Sequence, residues 1–230
     1  VLIDDCGKGY KSLGKATTDG DGRVAFHLAR KDLPKMGFYN IVLRVEGDGT
    51  TVPLTLSIYP PGTQVVVFDI DGTLTTADVE ALEDAVADFF EPIYKQEVVP
   101  EKRPSAVEIT KARHLQGYAV VYLTGRPYNL TRITRQWLKS QGFAPGSLRL
   151  TYESAQVLPV EAGVGEFKHN ELAGLKAKGF QIGAAYGNAE TDIYAYQKAG
   201  IPNDRIFIVG KHGGKKNTEK LGEGYTKHIK

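Results

Sequence analysis

Gln64-Val65-Val66-Val67-Phe68 runs directly into Asp69-Ile70-Asp71-Gly72-Thr73. A short, continuous apolar run rich in β-branched residues reads as a strand buried on both faces, the state of strands in a parallel sheet. Two acids two residues apart at the end of such a strand project toward the same side. The carboxyl ends of parallel strands are where open α/β sheets hold ligands. A carboxylate pair there can hold a divalent cation, and one acid can attack an electrophile while the other moves a proton. Fold and chemistry are therefore constrained together: an α/β sheet suited to metal-assisted phosphoryl transfer.

The chain changes character at Tyr59-Pro60-Pro61-Gly62, where two prolines and a glycine end a strand and make a hinge. After it, strand and helix patterns alternate. Strands are expected at 65–68, 118–123, 148–151, 182–186 and 206–209. Helices are expected at about 78–90, 105–116, 129–140, 168–178 and 190–199. Ser105-Ala106-Val107-Glu108 reads as a capping box, and Gly117, Gly142, Gly179 and Gly200 stand where helices should end. This alternation predicts a doubly wound parallel α/β sheet over residues 63–230.

Before the hinge, residues 1–62 read as all-β. Thr18-Asp19-Gly20-Asp21-Gly22 is a turn cluster, followed by alternation at Val24, Phe26 and Leu28. A second strand is expected at 37–45 and, after Gly47-Asp48-Gly49, a third at 52–58. The pattern resembles a small immunoglobulin-like sandwich. Such a sandwich has about seven strands, and only four or five fit, so the module is expected to be incomplete: trimmed, or borrowing strands from elsewhere.

Composition sets outer limits. The chain has 230 residues, is 41% hydrophobic and 24% charged, and carries a formal net charge of +2. That is ordinary for a globular protein and excludes a strongly polycationic one. No recognition motif accompanies the basic residues, so nucleic acid is not expected as a partner. No apolar run reaches the roughly 18 residues a spanning helix needs. A lone Cys6 forms no internal disulfide and argues against a thiolate metal site. The expectation is a protein that is soluble or peripheral to a membrane, cytoplasmic rather than exported, although a start at Val1 leaves room for a lost targeting segment.

Four polar landmarks follow the sheet order: Asp69 and Asp71 after the first strand, Thr124-Gly125-Arg126 after the second, Lys168 at a helix start, and Gly187-Asn188 with Asp192 after the fourth. Three of them directly follow a strand, so all can converge on one crevice. With these residues the chain resembles the haloacid dehalogenase superfamily. Asp69-Ile70-Asp71-Gly72-Thr73 is similar to its first motif, Thr124 to the second, Lys168 to the third, and Gly187 to Asp192 to the fourth. Tyr122-Leu123-Thr124-Gly125-Arg126-Pro127, Tyr186-Gly187-Asn188-Ala189-Glu190-Thr191-Asp192 and the stretch from Ala195 to Phe207 bring it closest to the LNS2 branch. That branch includes the phosphatidate phosphatases called lipins and the carboxy-terminal domain of membrane-associated phosphatidylinositol transfer proteins. Gly224-Tyr225-Thr226-Lys227-His228 is a fainter likeness to the transfer-protein version.

The resemblance implies a sheet of the haloacid dehalogenase type and a division of labour. Asp69 would attack phosphorus and carry a transient aspartyl-phosphate; Asp71 would protonate the leaving oxygen and then activate water. Mg²⁺ would be held by Asp69, the Asp71 carbonyl, Asp192 and Asn188, and phosphate by Gly72, Thr73, Thr124, Gly125 and Lys168. Many superfamily members carry Asp where this chain has Asn188; an amide oxygen still offers a neutral ligand. Physics supports the metal. A phosphate dianion and a carboxylate nucleophile repel each other, and a cation between them makes the approach tolerable.

Plainer readings stand beside these. The acid pair alone would suit a calcium loop with Glu80 at its twelfth place, but Leu74 occupies the sixth, where that loop needs Gly. Thr124 would serve as a helix cap, Asn188 as an N-cap, and Asp192 as an ordinary first-turn acid. Arg126 would hold a substrate head group or pair with an acid. His169 would reach leaving-group oxygens or be an ordinary surface or core histidine. Gly210-Lys211-His212-Gly213-Gly214-Lys215-Lys216 lacks Walker spacing. It belongs to a basic stretch, 205–230, that would be an ordinary solvated surface or would draw the chain to anionic lipid.

The span between Asp71 and Thr124 is too short for a large cap, so an open site or one with a minimal cap is expected. Phe89, Phe90, Ile93, Tyr94, Val98 and Val99 would form a lip beside it or part of the core. Three functions follow: a Mg²⁺-dependent phosphatase acting on phosphatidate at a membrane surface, one acting on small soluble phosphomonoesters, and a non-catalytic phosphatidate-binding module.

Overall fold

The computed structural model describes residues 1–4, 9–20, 22, 24–28, 35–76, 99–152, 158 and 160–229. The helix expected at 78–90, the lip residues from Phe89 to Val98, Glu80 and Cys6 lie outside them. Val99 is described and is exposed.

The chain divides into two compact units, Val1–Pro60 and Pro61–Lys230. In the first, strands β1 (Leu2–Asp4), β2 (Tyr10–Ser12), β3 (Gly37–Arg44) and β4 (Thr51–Ile58) form one antiparallel sheet in the order β2-β1-β3-β4. The β3–β4 hairpin turns where expected. Val45 N donates to Thr50 O, and Asp48 caps the turn by accepting from Thr50 N at 2.8 Å. The alternation at Val24, Phe26 and Leu28 does not become a strand: residues 24–28 pair with no neighbouring strand. Pattern alone cannot make a strand without a ladder partner. Among the described residues there is one sheet in this unit and no second sheet facing it.

The second unit is built on a six-stranded sheet whose strand pairs are all parallel. Its strands are β5 (Gln64–Phe68), β6 (Ala119–Pro127), β7 (Gly146–Thr151), β8 (Gln181–Gly187), β9 (Ile206–Val209) and β10 (Glu219–Gly222). The order is β10-β9-β8-β5-β6-β7. The chain therefore winds one way from β5 through β6 to β7, returns to the other side of β5 as β8, and continues outward. The switch in direction lies at β5, between β6 and β8. β10 was not expected; its Glu219-Lys220-Leu221-Gly222 has no apolar run, and as an edge strand it needs none.

Four helices are described: α1 (Ala106–Leu115), α2 (Thr131–Ser140), α3 (Glu166–Ala177) and α4 (Glu190–Lys198). Gly117, Gly142, Gly179 and Gly200 follow them with φ between 71° and 90°, as helix stops should. The capping box at Ser105 does not form. Ser105 is left-handed, with φ 59° and ψ 23°, and its side chain makes no cap bond.

The sheet core is apolar on both faces. One face carries Val66, Phe68, Val120, Tyr122, Ala184 and Tyr186 against Ala106 and Ile109 of α1 and Trp137 and Leu138 of α2. Across it, register partners Phe68, Tyr186 and Phe207 stack at 4.5 and 5.0 Å between ring centroids. Residues of opposite parity, such as Val65, Val67 and Val121, are equally buried, and α3 lies against β6 and β8. Burying these strands on both sides fixes their carboxyl ends as a rigid platform.

Candidate active site

β5 ends at Phe68, and Asp69 N donates to Tyr186 O at 3.0 Å, so the chain stays tied to β8 for one residue more. It then turns back on itself: Thr73, Leu74 and Thr75 all donate their amides to Ile70 O. This tight loop presents Asp69, Asp71 and Thr73 together, beside Thr124 from β6, Lys168 from α3 and Asn188 and Asp192 at the start of α4.

Lys168 Nζ bridges two acids, donating to Asp69 Oδ1 at 2.8 Å and to Asp192 Oδ1 at 2.6 Å. Asp192 Oδ2 accepts from the amides of Asn188 at 3.0 Å and Ala189 at 3.1 Å, which fixes the start of α4. Gly187 is required for this approach: a Cβ there would lie 2.5 Å from Asp192 Cβ. Thr73 Oγ1 stands 2.8 Å from both Asp69 Oδ2 and Asn188 Oδ1. Its hydroxyl has one proton, so it satisfies only one of these oxygens at a time.

Asp71 is held differently. Arg126, wholly buried, donates Nε to its Oδ2 at 2.8 Å and Nη2 to its Oδ1 at 2.7 Å. Arg126 Nη1 donates in turn to Thr134 Oγ1 of α2 at 3.1 Å. Thr124 Oγ1 lies 3.3 Å from Asp71 Oδ2 and accepts from Arg126 N at 3.2 Å. β6 carries on through Thr124 to Pro127 rather than stopping at Leu123, with an irregularity in its pairing to β7 between Leu123 and Pro127. Arg126 thus forms an ion pair with an acid, Asp71.

Burial pushes the Asp69 carboxyl up to about 7. The Lys168 ammonium opposes that rise, and the charges of Asp192 and Asp71 add to it. Burial alone would lower Lys168, but Asp192 and Asp69 outweigh it and hold the ammonium well above the usual lysine range.

The loop places Gly72 and Thr73 beside the acids, with φ 74° at Gly72. Gly125 has a packing reason to be small, since a Cβ would lie 2.9 Å from Val164 Cγ2. His169 is half-buried with Nδ1 unpartnered, and none of the described hydrogen bonds joins it to the acids. Sequence reasoning missed Arg103, whose Nε donates to Gly72 O at 2.7 Å, and Tyr225, whose hydroxyl donates to Thr73 O at 2.9 Å. Nothing local marks Arg103, which sits in the charged run Glu101-Lys102-Arg103.

The residues fit a hard cation in one specific respect. Among the described residues, no three acidic, histidine or cysteine side chains are grouped as a metal cage. Yet the buried cluster sets three acids, Asp69, Asp71 and Asp192, against two cations, Lys168 and Arg126. Both cations are already paired. A phosphate dianion arriving there needs a further positive charge, and the surplus oxygen at Thr73, from Asp69 or Asn188, is the hard donor Mg²⁺ prefers.

A family model described as the LNS2 domain of PITM 1-3 matches residues 66–210. The chain is 30% identical to Protein retinal degeneration B of Drosophila melanogaster, over 100% of this chain and 17% of that protein. It is 29% identical to Membrane-associated phosphatidylinositol transfer protein 3 of Homo sapiens, over 100% of this chain and 22% of that one. It thus spans about a fifth of the length of these relatives. Among solved structures, a phospho-aspartyl intermediate analogue of phosphoserine phosphatase matches with a TM-score of 0.47 and 16% identity, over 74% of this chain and 100% of that chain.

Proposed function

The chain belongs to the family of PITM 1-3 LNS2 domains, within the haloacid dehalogenase superfamily, and from that premise we propose that residues 63–230 form a Mg²⁺-dependent phosphomonoester hydrolase whose substrate is phosphatidate or a close lipid phosphate. The observation that carries the reading is the Lys168 bridge between Asp69 and Asp192 beside the Thr73 hydroxyl, at the carboxyl end of β5, where the sheet changes direction.

In this reading an Asp69 oxygen attacks phosphorus and the ester P–O bond breaks. The leaving oxygen takes a proton from Asp71, and an aspartyl-phosphate remains on Asp69. Asp71 then removes a proton from water, whose oxygen attacks phosphorus, restoring the Asp69 carboxylate and releasing phosphate. Lys168 and the Thr73 hydroxyl hold phosphate oxygens; Asp192 orients Lys168. Bound Mg²⁺, held by Asp69 and Asn188 oxygens, would screen the phosphate charge from the nucleophile. For Asp71 to serve as acid, Arg126 must release at least one of its oxygens when substrate binds.

A second reading has its own support. With both Asp71 oxygens taken by Arg126, the same pocket suits a phosphomonoester-binding module that does not turn over. One experiment separates them. Phosphate release is measured from short-chain phosphatidate, glucose 6-phosphate and a nucleoside monophosphate, each with Mg²⁺ and with EDTA. Mg²⁺-dependent release from phosphatidate, abolished by Asp69→Asn, is the expected result. Release mainly from the soluble esters removes the lipid substrate. Binding of phosphatidate without release selects the binding module, and neither binding nor release sinks both.

A further inference from the structure

The geometry points to the C-terminal segment from Glu223 to Thr226 as a strap that positions the phosphate loop, with Tyr225 and Arg103 as its positioning residues. This rests on reading Asp69–Thr73 as that loop. The strap lies beyond residues 66–210, which the family model matches, and within the stretch aligned to the relatives.

Two carbonyls of the loop are held from outside. Arg103 Nε donates to Gly72 O at 2.7 Å, and the Tyr225 hydroxyl donates to Thr73 O at 2.9 Å. Each carbonyl shares a rigid peptide plane with the next amide, so these two bonds set the orientation of Thr73 and Leu74. Thr73 carries the hydroxyl that stands between Asp69 and Asn188. A tilt of its peptide moves that hydroxyl away from Asp69 Oδ2, while Lys168 still holds Oδ1.

The strap is itself anchored at several points. Tyr225 N donates to Pro104 O at 3.0 Å, and Ser105 Oγ pairs with Thr226 Oγ1 at 2.9 Å. Arg103 Nη1 donates to Glu223 O and Oε2, both at 3.2 Å. Gly224 has no room for a side chain, since a Cβ would lie 2.8 Å from Pro104 O. Ser105, at φ 59°, holds a conformation a serine rarely adopts, at the place where Thr226 meets it. Arg103 N also donates to Leu74 O, and Thr76 N to Glu101 O, so residues 101–103 and the strap together enclose the loop. Tyr225 is fully buried. Its hydroxyl, remote from solvent, donates to the loop.

The test uses the full chain as wild type, Tyr225→Phe and Arg103→Lys. Two quantities are read: hydrogen–deuterium exchange across all peptides, and affinity for inorganic phosphate with Mg²⁺ by calorimetry. Removing one hydrogen bond of ordinary strength should speed exchange in the 69–76 peptide about fivefold and weaken phosphate binding by a similar factor. Exchange in β6 and β8 should stay unchanged. A folded Tyr225→Phe protein with wild-type exchange and wild-type phosphate affinity overturns the inference, and so does a rise spread evenly over the whole unit, which marks Tyr225 as merely structural. If Tyr225→Phe does not fold, Arg103→Lys decides by the same criteria. If wild type binds no phosphate, the function reading falls, and the exchange pattern still judges the strap.

Discussion

Arg126 grips both carboxylate oxygens of Asp71, Nε on Oδ2 at 2.8 Å and Nη2 on Oδ1 at 2.7 Å, with neither side chain more than 7% exposed. Planar, two-point pairing of this kind is the strongest ordinary geometry between an arginine and a carboxylate. It restrains both oxygens of Asp71, although the proposed chemistry asks this acid to move a proton.

Breaking that pair from one side should be severe. Arg126→Leu leaves a buried carboxylate without its partner and should cost about 3–5 kcal/mol in urea unfolding. The double variant Arg126→Leu with Asp71→Leu removes both charges and should recover most of the loss. With Asp71→Leu measured as the second single variant, a double variant whose loss equals the sum of the two single losses would show that the pair contributes no coupling.

Asp69 gives a prediction with a definite sign. Its carboxyl is pushed up from an ordinary 3.8 to about 7 by burial first, with the neighbouring acids adding to the rise. An acid raised on folding contributes stability that is fully present below 3.8 and is lost as pH rises through about 7. Asp69→Asn keeps the shape and removes the charge, while Lys168 retains Asp192 as a partner. Without metal, the variant should gain on the order of 2–4 kcal/mol relative to wild type at pH 8, and the gain should vanish by about pH 4. Melting temperatures of the two proteins across that range check it; an offset that does not change with pH would refute the raised carboxyl.

Asn188→Asp tests the metal reading. A carboxylate in place of the amide adds a charged hard ligand 2.8 Å from Thr73 Oγ1, opposite Asp69. Mg²⁺ affinity should rise about tenfold or more, as expected when a second acid joins a magnesium site. The metal-free variant should be less stable than wild type above pH 7, because it gathers one more acid around the same lysine. EDTA should therefore lower the melting temperature of the variant more than that of wild type. Unchanged Mg²⁺ affinity by calorimetry would move the metal away from Asn188.

Much of this arrangement is readable from the chain because it depends on local pattern. The Val65–Phe68 run and the acids after it fix a strand and its end, and β6, β8 and β9 follow from similar runs. Lys168 opens a helix and meets Asp69 and Asp192 because the parallel sheet leaves few other places for it. What is not readable depends on distant contacts. Arg126 pairs with Asp71 across 55 positions, and Tyr225 reaches Thr73 across 152. Ser105 carries a capping-box sequence but is drawn into a left-handed turn beside Thr226. β10 is polar because its outer edge needs no burial, so periodicity gives no sign of it.

His228 predicts an acid-sensitive end to the C-terminal segment. Its Nε2 faces Arg113 Nη2 of α1 at 3.2 Å and the Tyr186 hydroxyl of β8 at 2.9 Å, and its ring packs on Phe207 of β9 at 4.4 Å. The Tyr186 oxygen accepts from Arg113 Nε and Nη2, so its own proton is available to His228. Arginine only donates, and Nε2 is therefore an acceptor in a neutral ring. Burial, then the charge of Arg113, holds His228 below its ordinary 6.5. A base lowered on folding contributes stability that is present above 6.5 and is lost as pH falls below it. Between pH 7 and 5.5, wild type should lose stability relative to His228→Gln, whose amide oxygen still accepts from Tyr186 and does not titrate. Protection factors against hydrogen exchange in residues 223–229, taken relative to the intrinsic rate at each pH, should fall over the same range in wild type alone. If the stability difference between the two proteins stays constant from pH 7 to 5.5, His228 is not the group that responds.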